Sequence, residues 1–306
     1  MLRWRFISAA VILTVLFALM WLDYQRLFLQ AQGAWLLPVF LTISFLATEE
    51  VLSLLQAKNH RPVAGIVYLG SIVLPLTAAL PVVFQLAGRP LPQADAAGAC
   101  VWPLTALAVV TALVFIGEMA RFERPGTAIV DAALSIFTIV YVGLLISFWA
   151  LLRLHISNEW GMAALFSLLL ITKMADTGAF AVGKCFGRHK LTPVLSPGKT
   201  WEGAIGGILT ACLTSWAFFH FQFGAQAIVG STYAEPPLIA MLAYGALLAL
   251  AGLVGDLAES LLKRYAERKD SSTWLRGLGG VLDIVDSPLI AGPVAWLCWT
   301  TGLVGP

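Results

Sequence analysis

Charged side chains are concentrated in one short segment, residues 255–287, which lies between two apolar stretches. Six carboxylates and five basic groups fall there. Asp256 ends the preceding apolar run, and Asp283 and Asp286 begin the next. Carboxylates beside basic groups suit a divalent cation and a phosphate-bearing ligand. The alternative is a solvated loop whose basic residues only follow membrane topology.

The spacing of the polar residues indicates which side chains act together. Asp256, Ser260 and Lys263 lie at positions i, i+4 and i+7, so they share a face if the preceding span continues as a helix. Asp283 and Asp286 are three apart and share a face at the start of the last span. Mg²⁺ takes one or two carboxylates and fills its octahedron with phosphate oxygens and water. We expect Asp256 and Asp283 to supply those carboxylates, each from the end of a different span.

A second polar segment, residues 184–207, combines basic residues with glycine and proline turns. Its Gly-Lys-Thr at 198–200 is not a nucleoside-triphosphate loop, because a proline stands where that pattern needs its first glycine. Ser196 and Lys199 can still present a hydroxyl and an ammonium group to a phosphate. Glu202 is expected in the first turn of the next span, where unpaired N–H groups can bind an anion.

Ionisable residues also occur within the apolar stretches, where they are costly and usually paired or functional. Lys173 and Asp176 are three apart on one face of a span. They are interpreted either as a mutually neutralising pair or as a sign that Asp176 lines a polar site. Glu49 and Glu50, at the end of another span, are interpreted as interface residues.

Composition identifies the class of protein. Hydrophobic residues make up 59% of the chain, the mean hydropathy is +0.85, and charged residues make up 12%, against about 25% in soluble proteins. The sequence predicts an all-α polytopic integral membrane protein with about nine transmembrane helices. The scattered cysteines and histidines indicate neither a disulfide framework nor a zinc or haem site. The predicted spans are approximately 6–22, 34–55, 64–87, 98–117, 128–152, 161–182, 203–224, 237–255 and 287–303.

The predicted spans place the loops alternately on the two sides of the membrane, and most basic residues fall on one side. The N-terminal tail and the even-numbered loops hold 15 of the 19 Lys and Arg residues, and the odd-numbered loops hold three. This bias predicts a cytoplasmic N-terminus and a site that faces the cytoplasm, in the cell (inner) membrane. We expect N-terminal spans in 1–160 and a catalytic region in 161–306, with cytoplasmic loops at 183–203 and 256–286.

Two blocks of sequence resemble the phosphatidate cytidylyltransferase family. Residues 176–207, DTGAFAVGKCFGRHKLTPVLSPGKTWEGAIGG, resemble its upstream block, and residues 260–287, SLLKRYAERKDSSTWLRGLGGVLDIVDS, resemble its signature. The chain departs from the signature at three positions. Arg276, Leu278 and Ile284 stand where the family pattern has proline, histidine and arginine.

The resemblance implies a reaction and a set of residues. Phosphatidate would attack the α-phosphorus of CTP in the presence of Mg²⁺, which would release pyrophosphate and leave CDP-diacylglycerol in the bilayer. Asp256 and Asp283 would bind the metal and, with Lys263, be catalytic. The substrate-binding residues implied by the motifs are Asp176, Ser196, Lys199, Glu202, Ser260, Arg264, Lys269, Asp270 and Asp286.

Other interpretations of the sequence remain. A secondary transporter would explain the many spans and the charges within them, but no inverted repeat is evident. A divergent homologue could act on another lipid phosphate or lack activity. A CDP-lipid phosphoalcohol transferase is excluded, because its run of aspartates on adjacent helices does not occur here. No nucleic-acid partner is expected, and a homodimer is a further expectation.

Overall fold

The protein is described here from a computed structural model. The described residues are 2–89, 96–122, 126–155, 157–229, 235–272, 274 and 279–305, without the side chains of residues 2–9, 96–97 and 222–229. Arg276 and Leu278, two of the three departures from the family signature, lie outside this range. Ile284 lies within it, in the first turn of the last helix.

The described part of the chain is almost entirely helical, and its one regular β element is a short hairpin. A π-helical segment, Ile139–Leu144, joins two of the helices. The strands are β1 (Lys190–Thr192) and β2 (Ser196–Thr200). The helices are α1 (Leu2–Tyr24), α2 (Leu37–Gln56), α3 (Ala64–Ala78), α4 (Leu80–Leu86), α5 (Ala96–Ala120), α6 (Ala128–Thr138), α7 (Leu145–Arg153), α8 (Asn158–Phe186), α9 (Trp201–Val229), α10 (Leu238–Tyr265) and α11 (Leu282–Thr300).

The predicted all-α polytopic class is confirmed, although the predicted count of nine spans is not. Within the described residues, seven helices are long and apolar enough to cross a membrane. The pair α3 and α4 is bent by 64° and makes eight if it forms one span. The described apolar part of α1, Ala10–Tyr24, is shorter than a span requires. Every predicted span nevertheless overlaps a helix or a helix pair.

The chain forms two compact units. The first unit contains Met1–Met162 and Leu262–Val285, and the second contains Ala163–Leu261 and Asp286–Pro306. Asp283 therefore belongs to the first unit, whereas Asp256 belongs to the second. The division predicted from the sequence, 1–160 and 161–306, stays a prediction.

Helix α3 lies at the centre of the first unit and packs against α2, α5 and the π-helical segment. Gly143 allows this close approach, because a Cβ there would lie 2.7 Å from Ser71 Cα. The buried side chains around α3 form a continuous apolar core that replaces contact with lipid or water. They are Leu52, Val67, Leu74, Val110, Val114, Ala132 and Ile139.

A fully buried ion pair ties separate parts of the first unit together. Arg153 Nε donates to Asp23 Oδ2 at 2.5 Å, and both side chains are 0% exposed. Arg153 also donates to Asn158 Oδ1 at 2.6 Å. The Asp23 carboxylate accepts the backbone N–H groups of Gly33 and Trp35. The charges are stabilised because each has several hydrogen-bond partners.

In the second unit, glycines bring α8 and α9 close together. A Cβ at Gly206 would lie 2.5 Å from Val182, and one at Gly178 would overlap Thr210. Small residues permit such backbone approaches between membrane helices. The close packing of α8 and α9 fixes both ends of the connection that carries the hairpin.

Candidate active site

The hairpin is fastened directly to the start of α9. Strands β1 and β2 pair antiparallel, with Lys190 opposite Thr200. Thr200 Oγ1 accepts the backbone N–H of Gly203 at 3.1 Å, which caps the first turn of α9. Ser196 and Lys199 lie on β2 and are therefore held by both the strand pairing and the helix cap.

Lys199 reaches from the hairpin to α10. Its Nζ atom lies 2.7 Å from Asp256 Oδ2, and the two side chains are 21% and 34% exposed. The structure thus brings together two residues that the sequence assigned separately to a phosphate-binding turn and to a metal site.

A chain of charged groups continues from Asp256 within the second unit. The carboxyl groups of Asp256 and Asp286 are direct neighbours. Lys173 lies 3.9 Å from Asp286 and donates to Asp176 at 3.0 Å. Ser287 donates to the Asp176 carboxylate at 3.2 Å. The pairing of Lys173 with Asp176 agrees with their predicted common face, and both belong to a larger network.

The network has more carboxyl groups than ammonium groups. Its carboxyl groups outnumber its ammonium groups by three to two, counting Lys199. Two adjacent carboxyl groups, Asp256 and Asp286, suit Mg²⁺, which needs one or two carboxylates and completes its shell with phosphate and water. In the part of the chain that the structure describes, no group of three or more His, Cys, Asp or Glu residues has the arrangement of a metal site.

A cavity of about 470 Å³ opens beside these charges in the second unit. Four predicted substrate or metal residues line it: Asp176, Ser196, Lys199 and Asp256. The rest of the wall is mostly apolar or glycine, and one wall residue, Phe180, is 70% exposed. The cavity therefore combines a charged region with an apolar wall that reaches the surface, which suits an amphiphilic ligand. The apolar wall residues include Ala175, Ala179, Ile208, Ala249 and Leu253.

Asp283 occupies a different setting, in the first unit. Its Oδ1 atom accepts Lys263 Nζ at 2.7 Å. Its Oδ2 atom accepts the N–H and the hydroxyl of Ser271, at 3.1 and 2.7 Å, and the N–H of Gly280 at 2.7 Å. Lys263 and Asp283, two of the three residues predicted to be catalytic, are thus in direct contact. The sharing of one metal by Asp256 and Asp283 stays a prediction.

The remaining signature residues lie on α10 or in the loop that follows it. Ser260 is partly buried on α10, and Arg264 is exposed in its last turn. Lys269 and Asp270 are exposed and line another cavity of about 470 Å³ in the first unit. Helix α10 continues to Tyr265, as the shared face predicted for its polar residues requires.

Glu202 holds the polypeptide that enters the hairpin. It lies in the first turn of α9, as predicted. Its carboxylate accepts the backbone N–H groups of Arg188 and His189, at 3.1 and 3.2 Å, and contacts His189 Nδ1 at 2.6 Å. The predicted contact of Glu202 with substrate stays a prediction, and the structure shows that this residue fixes the hairpin.

Glu50 is a buried polar residue whose role the sequence did not reveal. It is 5% exposed, so its interpretation as an interface residue is wrong, whereas Glu49 is exposed. Glu50 accepts hydrogen bonds from Ser271 and from the amides of Val281 and Leu282, where α11 begins. The only signal was a carboxylate within an apolar span, and its partners are more than 200 residues away.

The fold and site define a multi-pass helical membrane protein with a cavity lined by both aspartate and lysine side chains. The model of the cytidylyltransferase family matches residues 3–301. The chain therefore belongs to the cytidylyltransferase family, which confirms the family predicted from the two sequence blocks.

Similar proteins carry a more specific name. The chain is 41% identical over 133 residues to a phosphatidate cytidylyltransferase of Haemophilus influenzae, covering 44% of each protein. It is 38% identical over 168 residues to that of Pseudomonas aeruginosa, covering 54% of this chain and 59% of the relative. It is 35% identical over 167 residues to that of Staphylococcus aureus, covering 54% of this chain and 57% of the relative. The chain spans about half the length of the curated relatives it matches.

Proposed function

We propose that this protein transfers the cytidylyl group of CTP to phosphatidate. A phosphate oxygen of phosphatidate would bond to the α-phosphorus of CTP while the bond to the bridging oxygen of the β-phosphate breaks. The products would be CDP-diacylglycerol and pyrophosphate. The phosphate monoester is already largely ionised near neutral pH, so the reaction needs positioning and charge stabilisation more than a strong base.

The observation that carries this proposal is the cavity of the second unit. Lys199 and Ser196 suit a phosphate, and the apolar wall suits the glycerol and acyl part of a lipid. Because Phe180 lines the cavity and is 70% exposed, a lipid could enter from the side of α8. The names of the related proteins support the same pair of substrates.

Mg²⁺ is proposed as the cofactor. When bound, it would neutralise the phosphate charge and favour release of pyrophosphate. Asp256 would hold it, with Asp286 beside it and Asp283 retained from the sequence as a second ligand. Lys199 would offset negative charge on the phosphates, and Lys263 is retained as a catalytic residue. The signature residues Ser260, Arg264, Lys269 and Asp270 are retained as substrate contacts, as are Asp176, Ser196 and Glu202.

The proposal includes a location and an assembly state. The basic residues favour the cell (inner) membrane with a cytoplasmic N-terminus and a site open to the cytoplasm. A homodimer is also proposed, and light scattering of the detergent-purified protein tests it.

The decisive experiment is an assay of the purified full-length protein with CTP, Mg²⁺ and several phospholipid monoesters. Pyrophosphate release and labelled CDP-lipid should appear with phosphatidate. Formation of a CDP-lipid from a different monoester would identify a divergent substrate. Absence of turnover with every monoester would refute the proposed reaction, and flux of a substrate across vesicles without CTP turnover would favour a transporter.

Variants of the signature carboxylates test the assigned residues. Asp256→Asn and Asp283→Asn should each abolish Mg²⁺-dependent formation of CDP-lipid, because each removes a negative charge from the proposed metal-binding set. Glu267→Gln is the matched control, since this carboxylate is exposed and forms an ion pair with the partly exposed Lys58, away from the proposed metal-binding set. Near-normal turnover in both aspartate variants would refute these assignments.

A further inference from the structure

Glu50 has an unusual degree of hydrogen bonding for a carboxylate in an apolar span. Its Oε1 atom accepts the N–H of Val281 at 2.8 Å. Its Oε2 atom accepts the N–H of Leu282 at 2.8 Å and the hydroxyl of Ser271 at 2.9 Å. A buried carboxylate is costly unless such donors replace water. The amides of Val281 and Leu282 and the shared hydroxyl of Ser271 therefore stabilise Glu50, and Glu50 in turn fixes these groups.

Two of those donors are the backbone amides of Val281, the residue before α11, and of Leu282, its first residue. The first N–H groups of a helix have no partner within the helix, and a negative charge beside them is favoured. Glu50 supplies both an acceptor and the charge from α2, a different helix. It therefore caps α11 from across the first unit, and the helix start cannot shift without breaking these bonds.

Asp283 is hydrogen-bonded to the turn that precedes α11, which contains Gly279 and Gly280. Ser271 Oγ lies 2.9 Å from Glu50 Oε2 and 2.7 Å from Asp283 Oδ2, so the two carboxyl groups share its single hydroxyl proton. Asp283 Oδ2 also accepts the N–H of Gly280. A change at Glu50 is thus two hydrogen bonds away from Asp283.

Close packing leaves this turn little freedom. A Cβ at Gly280 would overlap both Ser271 Oγ and Glu50 Oε2. Gly279 has φ +88°, and a Cβ there would lie 2.5 Å from Asp283 Oδ2. The turn is therefore held against both carboxyl groups at contact distance, and only glycine fits at either position.

We propose that Glu50 is a positioning residue for the Lys263–Asp283 pair. It acts through Ser271 and the start of α11. The pair is joined at 2.7 Å, so its placement follows the placement of Asp283. This inference rests on the proposed function, in which Lys263 and Asp283 are catalytic. Misplacement of a catalytic group by about 1 Å can lower a rate about 100-fold.

The test compares Glu50→Gln and Ser271→Ala with Glu267→Gln in the purified full-length protein. An amide cannot replace both carboxylate oxygens as acceptors. Glu50→Gln should therefore speed hydrogen–deuterium exchange in a peptide that contains residues 281 and 282 by at least about tenfold. It should also lower kcat for CDP-lipid formation by at least about tenfold, with the KM for CTP within threefold of wild type. Ser271→Ala should act in the same direction, and Glu267→Gln should change neither quantity.

Each other outcome overturns the proposal. Faster exchange with an unchanged kcat would make Glu50 only a structural clamp. Unchanged exchange would show that Glu50 does not hold the turn, and equal effects of Glu50→Gln and Glu267→Gln would show no specific role. If Glu50→Gln does not fold, unchanged exchange and kcat in Ser271→Ala refute the inference. An inactive wild-type protein would instead refute the proposed function on which the inference rests, so the two failures are distinguishable.

Discussion

Replacing Lys199 with methionine tests the contact on which the candidate active site depends. Methionine keeps most of the apolar stem of lysine and removes its charge. At 2.7 Å, unit charges attract by about 6 kcal/mol at an effective dielectric constant of about 20. Desolvation and partial exposure offset most of this attraction. We therefore expect Lys199→Met to lower the free energy of unfolding by only about 1 kcal/mol.

The effect on catalysis should be much larger than the effect on stability. In the proposed reaction, Lys199 faces phosphate charge that grows as pyrophosphate leaves, and loss of one such preorganised donor costs about 100-fold or more in rate. We expect kcat/KM for CTP to fall about 100-fold, which corresponds to about 2.7 kcal/mol.

The assay is conversion of labelled CTP to CDP-lipid in mixed micelles at several CTP concentrations, normalised to folded protein. Lys190→Met is the control, because Lys190 lies on the same hairpin and is exposed. It should keep kcat/KM within about threefold of wild type. If Lys199→Met also stayed within threefold while remaining folded, the assignment of Lys199 to the phosphates would be wrong.

Three further substitutions have expected outcomes. Gly280→Ala should lower both Tm and activity, since its methyl group overlaps two oxygen atoms, Ser271 Oγ and Glu50 Oε2. Gly65→Ala is the control and should be tolerated, because nothing lies within 4 Å of a Cβ at that position. Thermal unfolding of the two purified variants measures the difference. Asp23→Asn should destabilise the protein by about 3–5 kcal/mol, because it leaves the buried Arg153 charge without its partner, and an unchanged Tm would contradict this. A nearby lysine lowers the pKa of the exposed Glu267 carboxyl. The small stabilisation from that pair should be present above the unfolded-state pKa and disappear as the pH falls through the folded-state pKa; a Tm difference between wild type and Glu267→Gln that persists in acid would contradict this.

Local patterns predicted much of the helical structure. Each predicted span overlaps a helix because about 20 apolar residues in sequence are a strong and local signal. The count was less certain, since neither the 64° bend between α3 and α4 nor the short described apolar part of α1 can be inferred from average hydropathy. The hairpin was expected only as a turn-rich segment, because its strands are three and five residues long.

Helical spacing also predicted part of the candidate site. Lys173 and Asp176 pair at 3.0 Å because residues three apart on a helix are neighbours. Spacing gave no information about contacts between helices. The contact of Lys199 with Asp256, and of Asp286 with Asp256, depends on how α10, α11 and the hairpin pack in the second unit.

The sequence by itself determined the membrane class and the family, because hydropathy, charge and motif spacing are properties of neighbouring residues. It also predicted which residues would bind metal and phosphate, and those roles stay predictions. Tertiary structure decided which lysine or hydrogen-bond donor contacts each carboxyl group. In residues 255–287, Asp256 joins Lys199 and Asp286, whereas Asp283 joins Lys263 and the turn held by Glu50. These pairings follow from packing between segments that are distant in the sequence. Because a buried charge is costly without partners, each carboxyl group pairs with the donors that packing places beside it.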